Sequence, residues 1–212
     1  MIREMSSGKF PLLICLDGLD GTGKSTQCEL LVNWMKGLGR KVVFSRDPGS
    51  TELGNQVRQL LLGHKGMMSR ECEMSLFFAA RAQMIEEIIR PALARGEDVV
   101  LDRFLLSTIA YQGYGAGLDV DRMWQAGKFA AGDLFPNMVL VLDLPVEAAL
   151  ARLKGRPDRM ESRGLEYFRL VRQGFLQEAE KSHGLIRVIS AEGPPLEVHG
   201  RVQREIGRAF GI

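Results

Sequence analysis

The stretch "GLDGTGKST", residues 18–26, follows the apolar run "FPLLICL", residues 10–16, with only Asp17 between them. It concentrates glycines (Gly18, Gly21, Gly23), a lysine (Lys24) and the hydroxyls of Thr22, Ser25 and Thr26 at the point where a buried strand should end. Gly18, Gly23, Lys24 and Ser25 meet the spacing G-x-x-x-x-G-K-[ST]. The chemistry of that spacing is anion binding. Glycines let successive backbone N–H groups curl around a phosphate, and the following helix points its positive end at the same place. Lys24 would reach the β- and γ-phosphates, and the Ser25 hydroxyl would ligate Mg²⁺. Average residue frequencies produce the pattern by chance in about 1% of chains this long, so a plain glycine-rich turn is the weaker reading.

The rest of the composition narrows the class without naming it. The chain has 212 residues, 45% of them apolar and 25% charged, which suits one domain spanning 1–212. A net charge of +2 gives no reason to expect a nucleic-acid or membrane partner. The longest apolar runs are about seven residues, against the ~20 a bilayer span needs. The opening "MIREMSSGKF" has no apolar core and does not read as a secretion signal. Cys15, Cys28 and Cys72 are odd in number and widely spaced, so buried thiols in a reducing cytoplasm are expected.

Short runs rich in Val, Ile and Leu recur at 11–17, 41–46, 98–102, 137–144 and 185–190. They lack polar alternation, as strands buried on both faces of a parallel sheet do. Helical periodicity covers 24–38, 53–63, 71–96, 105–131, 146–153, 164–181 and 195–210. The alternation predicts a doubly wound α/β domain, a five-stranded parallel sheet flanked by helices. The charged stretch "KGRPDRMESRG", 154–164, stands apart and reads as a loop or lid, about 153–164. His64, His183 and His199 are expected on surface segments, and Trp34 and Trp124 in packing roles.

A phosphate loop alone says only nucleotide. Further stretches carry arginines: "RDPGST" (46–51) and "DRFLLSTIAYQG" (102–113) after expected strands, "FFAAR" (77–81) on the long helix, and "GRPDRME" (155–161) in the lid candidate. Strand ends are where open α/β sheets bind ligands, and phosphoryl transfer needs cations around the moving group.

With these motifs in this order, the sequence resembles the thymidylate kinase family nearly end to end. The resemblance implies a P-loop nucleoside monophosphate kinase fold, usually a homodimer, that moves the γ-phosphate of ATP to dTMP with Mg²⁺ in dTTP synthesis, in the cytoplasm. It implies that Gly18, Leu19, Asp20, Gly21, Thr22, Gly23, Lys24, Ser25 and Thr26 hold the ATP phosphates. Asp20 would face the deoxyribose 3′-hydroxyl and the metal shell, and Asp102 would orient Arg103 and, with Ser25, help order the metal. Phe77 would stack on thymine, Arg81 would bond its carbonyl, and Thr108 and Gln112 would touch its edge. Tyr111 would lie under the sugar where a 2′-hydroxyl would go, and Arg103 would bind the acceptor phosphate. Arg58 would reach the acceptor side, with Arg46 and Pro48 shaping the loop above it. Lys24, Asp20 and Arg103, with Arg156 and Arg159 from the lid, would form the catalytic set. The loop at 18–26 carries no arginine and the lid carries Arg156, Arg159 and Arg163, as in the bacterial lid-arginine subtype. Two departures stand out: Asp47-Pro48-Gly49-Ser50 where the family shows Glu-Pro-Gly-Gly, and Phe104 where it shows Tyr or His. Two other readings remain, a kinase for another nucleoside or deoxynucleoside monophosphate and a non-catalytic nucleotide-binding protein.

Overall fold

Strand formation follows the branched apolar runs closely. The computed structural model describes residues 10–153, 159–160 and 163–212. Its strands are β1 (Leu13–Gly18), β2 (Val42–Arg46), β3 (Asp98–Asp102), β4 (Met138–Asp143) and β5 (Ile186–Ser190). All pair parallel in the order β2-β3-β1-β4-β5, the expected five-stranded sheet. β1 and β3 are buried along their whole length, which is why neither shows polar alternation.

The helices are α1 (Lys24–Gly37), α2 (Glu52–Gly63), α3 (Arg70–Met84), α4 (Arg90–Ala94), α5 (Leu105–Thr108), α6 (Val120–Ala130), α7 (Val146–Ala151), α8 (Leu165–Lys181) and α9 (Pro195–Phe210). α3 runs into α4 through a π-helical turn, Ile85–Ile89. Pro91 explains the widened turn, since it has no N–H to donate and its ring would press on the carbonyl four residues back. The span 105–131 is a correction to the single helical pattern expected there. A π-helical segment, Ile109–Gly115, follows α5, and the chain then turns at Gly117 (φ 76°) before Asp119 caps α6 through the Arg122 N–H at 3.0 Å. A Cβ on Gly115 would lie 2.6 Å from the Tyr167 ring, so glycine is what lets this backbone approach α8.

Two minor expectations also change. Cys15 and Cys28 are buried, but Cys72 is exposed at the start of α3. His199 is buried, 7% exposed, against the edge of the Trp34 ring at 6.5 Å; a helix with a wide apolar stripe took it inside. No described helix is long and apolar enough to cross a membrane.

The topology fixes where a ligand can sit. β1 lies beside β4; the connection from β1 leads to β2 on one side and that from β4 leads to β5 on the other, so the two diverge and open a crevice at the carboxyl ends of these strands. The register brings Leu16, Arg46 and Asp102 to one level along that edge.

Candidate active site at the carboxyl edge of the sheet

The loop after β1 is built around close backbone approach. Gly18 and Gly21 have φ of 128° and 80°. A Cβ on Gly18 would stand 2.4 Å from the Leu142 carbonyl oxygen, and one on Gly21 would stand 2.0 Å from that of Ala149. No other residue fits either place. Inside the loop, Lys24 Nζ donates to the Leu19 carbonyl at 2.7 Å, and Thr22 Oγ1 donates to the same oxygen at 2.8 Å. Lys24 is 6% exposed; burial and the nearby Arg103 pull its pKa down from 10.5 to about 8. A phosphate arriving there would meet an amine with few competing water contacts.

Ser25, in the first turn of α1, donates to Asp102 Oδ2 at 2.9 Å. Arg46, at the end of β2, donates through Nε to that same oxygen at 3.2 Å and through Nη2 to Ser25 Oγ at 3.1 Å. Sequence reading had assigned Arg46 only to shaping the neighbouring loop. Parallel register, invisible in the sequence, sets it against Asp102. The donor set here is a hydroxyl, the Asp102 carboxylate and the nearby Asp20 carboxylate, all hard oxygens. Among the described residues no group of three or more His, Cys, Asp or Glu gathers to cage a metal. Such a set suits Mg²⁺, which takes one or two carboxylates and fills the rest of its shell with phosphate oxygens and water.

Arg103 follows β3 with a left-handed backbone, φ 72°. Its Nη1 donates to the Gly18 carbonyl at 2.9 Å and to Ser107 Oγ at 2.8 Å, and its Nη2 pairs with Asp20 Oδ1. Its guanidinium also lies over the Tyr111 ring, 5.1 Å from the centroid. Burial pushes the Asp20 carboxyl up, but Arg103 and then Lys24 outweigh it and hold Asp20 well below the usual carboxylate range. Behind this pair sits Asp17, fully buried, 3.7 Å from Arg103 and accepting the Ser107 N–H at 3.1 Å. Burial raises its pKa despite Arg103. Sequence reading missed Asp17; its position as the last acidic residue of a buried strand was the available signal.

Two cavities meet at this edge. One is lined by the loop residues Gly21, Gly23, Lys24, Ser25 and Thr26 together with Arg46, Asp102 and Arg152. No motif in the sequence marks Arg152, which reaches this cavity from the end of α7. The other is lined by Asp47, Pro48, Phe77, Arg81, Thr108, Tyr111, Gln112 and Met160, among others. Asp20, Arg58 and Arg103 line both. Arg58 donates to the Pro48 carbonyl at 3.1 Å. Of the adjacent phenylalanines, Phe78 enters the core while Phe77, half-buried, faces the second cavity.

Arg81 is almost fully buried, donating through Nε to Asp47 Oδ2 at 2.6 Å and through Nη2 to Thr108 Oγ1 at 2.7 Å. Its Nη1 has no hydrogen-bond partner among the described residues. Here the Asp47 departure finds its place, as the carboxylate that orients Arg81. Arg159 is in the lining of neither cavity, although its neighbour Met160 lines this one. It donates to the Leu61 carbonyl at 2.8 Å and pairs with Glu73. Arg156 lies outside the described residues.

A site that places a phosphate loop beside a cavity of this lining matches what comparison finds. The family model for thymidylate kinase matches residues 16–202. The chain belongs to the thymidylate kinase family. It is 47% identical over 186 residues to thymidylate kinase of Rhodopirellula baltica, covering 88% of this chain and 76% of that one. It is 40% identical over 210 residues to thymidylate kinase of Chlorobium luteolum, covering 94% and 98%. The crystal structure of thymidylate kinase from Ehrlichia chaffeensis superposes with a TM-score of 0.78 at 30% identity, covering 92% of this chain and 97% of that one. Thymidylate kinases are ATP-dependent nucleoside monophosphate kinases, so this chain is a phosphotransferase.

Proposed function

We propose that the protein phosphorylates dTMP to dTDP with ATP in dTTP synthesis, as a cytoplasmic homodimer. The observation that carries the mechanism is that Asp20, Arg58 and Arg103 line both cavities at once. ATP would lie in the cavity of the phosphate loop, its phosphates held by the backbone N–H groups of 18–26 and by Lys24. Bound Mg²⁺, with Ser25, Asp20 and Asp102 as its protein contacts, would neutralise charge on the donor phosphates. dTMP would lie in the other cavity, with its base between Phe77 and the polar wall of Arg81, Thr108 and Gln112. Its sugar would rest near Tyr111 and Asp20, and its phosphate at Arg103 and Arg58. The acceptor phosphate then attacks the γ-phosphorus in line.

No general base is required, because a phosphate monoester with a second pKa of ~6 is already largely ionised near neutral pH. Catalysis is positioning and charge neutralisation. Arg156 and Arg159 would supply further cations to the moving group. Coupled ADP release with Mg²⁺ and ATP, offering dTMP, dUMP, dCMP, dGMP, AMP and UMP separately, tests the reading. Strong release with dTMP, weaker with dUMP and little with the others is expected; a preference for another acceptor would overturn the pocket assignment.

A further inference from the structure

We propose that Glu73 is a positioning residue that fixes the orientation of the Gln112 amide, and thereby selects an acceptor base carrying N3–H over one carrying an N3 lone pair. The inference rests on dTMP occupying the second cavity. Gln112 lines that cavity and is fully buried. Its Nε2 donates to Glu73 Oε1 at 2.7 Å, and its Oε1 is buried with no hydrogen-bond partner among the described residues. The amide atom left for an occupant is therefore an acceptor.

An amide can present either end, so something must decide which end faces the cavity. Glu73 is 1% exposed and its Oε2 pairs with both Arg159 and Arg163. A carboxylate between two guanidiniums accepts hydrogen bonds and donates none. Rotating the Gln112 amide by half a turn would set oxygen against oxygen inside a low-dielectric pocket and leave Nε2 without its acceptor. Glu73 thus forbids the other orientation.

The neighbouring wall has the opposite polarity. Arg81 is held by Asp47 and Thr108, and Thr108 lies four residues before Gln112. The unpartnered Arg81 Nη1 can only donate. A donor beside an acceptor fits a 4-keto pyrimidine, whose O4 accepts and whose N3–H donates. A 4-amino pyrimidine presents the reverse pattern. Arg81 cannot change polarity, whereas Gln112 could, and only its partner prevents it.

The test is Glu73→Gln, whose carboxamide can donate to Gln112 Oε1 and so permits the rotated amide. The readouts are kcat/KM with dTMP and with dCMP, and the Kd of each nucleotide without donor. The ratio of kcat/KM values, dTMP over dCMP, is expected to fall about tenfold or more, with the Kd ratio following it. Loss of the Arg159 and Arg163 pairing alone would lower kcat for both acceptors and leave the ratio unchanged. Should the single variant fail to fold, Glu73→Gln with Arg163→Met restores the buried charge balance and carries the same expectation. A parent enzyme selective for dTMP whose folded variant keeps the ratio within about twofold overturns the role of Glu73 alone. A parent that prefers dCMP overturns this role and the acceptor assignment together.

Discussion

Tyr111 donates its hydroxyl to Asp20 Oδ2 at 2.8 Å, tying the phosphate loop to the segment after β3 across 91 residues of chain. The other Asp20 oxygen pairs with Arg103, whose guanidinium covers the Tyr111 ring. Asp20, Arg103 and Tyr111 thus form a closed set at the seam between the two cavities. Asp20→Asn removes one charge from that set while keeping its shape. Turnover is expected to fall by about 100-fold as Arg103 loses its anchor, with circular dichroism unchanged. Coupled ADP release and a thermal melt check both halves; near-normal activity would rule out a role for this carboxylate.

Arg103→Lys separates charge from geometry. Lysine keeps the cation and the same backbone strain but cannot reach the Gly18 carbonyl, Ser107 and Asp20 together. The expected outcome is a loss of about 100-fold in kcat/KM and a stability cost of about 1–2 kcal/mol, since Asp17 keeps a nearby cation. Steady-state kinetics and urea unfolding give the two numbers; a variant with parental kcat/KM would show that the planar fork is dispensable.

Lys24 predicts a pH effect with a defined sign. Its folded-state pKa of about 8 lies below the 10.5 of the exposed amine. Below pH ~8 the amine is charged in both folded and unfolded chains, and its burial cost is fully present. As pH rises from ~8 toward ~10.5 the folded chain releases the proton first, so this group's contribution to stability increases across that window. Phosphate binding should draw the proton back. Calorimetric titration with ATP in two buffers of different ionisation enthalpy should therefore show proton uptake at pH ~8.5, declining toward pH ~7. Equal apparent enthalpies in both buffers at the higher pH would contradict the shift. Lys24→Met should abolish turnover while melting no lower than the parent.

The loop glycines should rank by what a Cβ would strike. Gly21→Ala puts a carbon 2.0 Å from the Ala149 carbonyl oxygen, so the loop must move and ATP affinity should fall about 100-fold. Gly23→Ala meets no described atom within 4 Å and carries only the strain of φ 90°, about 1–2 kcal/mol. Equilibrium binding of ATP to the two variants tests the ranking, and equal losses would contradict it.

Much of this molecule is local in origin, and that part was legible. Branched apolar runs bounded by glycine or charge mark the strands, because a strand buried on both faces needs no polar alternation. The phosphate loop shows itself because all its parts lie within nine consecutive residues, 18–26. The break within 105–131 was not legible, because the apolar period continues through it and the turn depends on how Gly115 meets α8. His199 was misplaced for the same reason, since its burial is decided by Trp34 on α1.

The sequence by itself determined the layer architecture, the position of the phosphate loop and most of the residue types around both cavities. Only the tertiary structure decided how those residues are coupled. Arg46 reaches Ser25 and Asp102 because parallel register sets it level with them. Asp47 orients Arg81 across 34 residues, and Glu73 orients Gln112 across 39. Period and spacing report interactions within one turn or one strand. A hydrogen bond between distant segments depends on how the sheet orders its strands and how helices pack upon it, which no local pattern encodes.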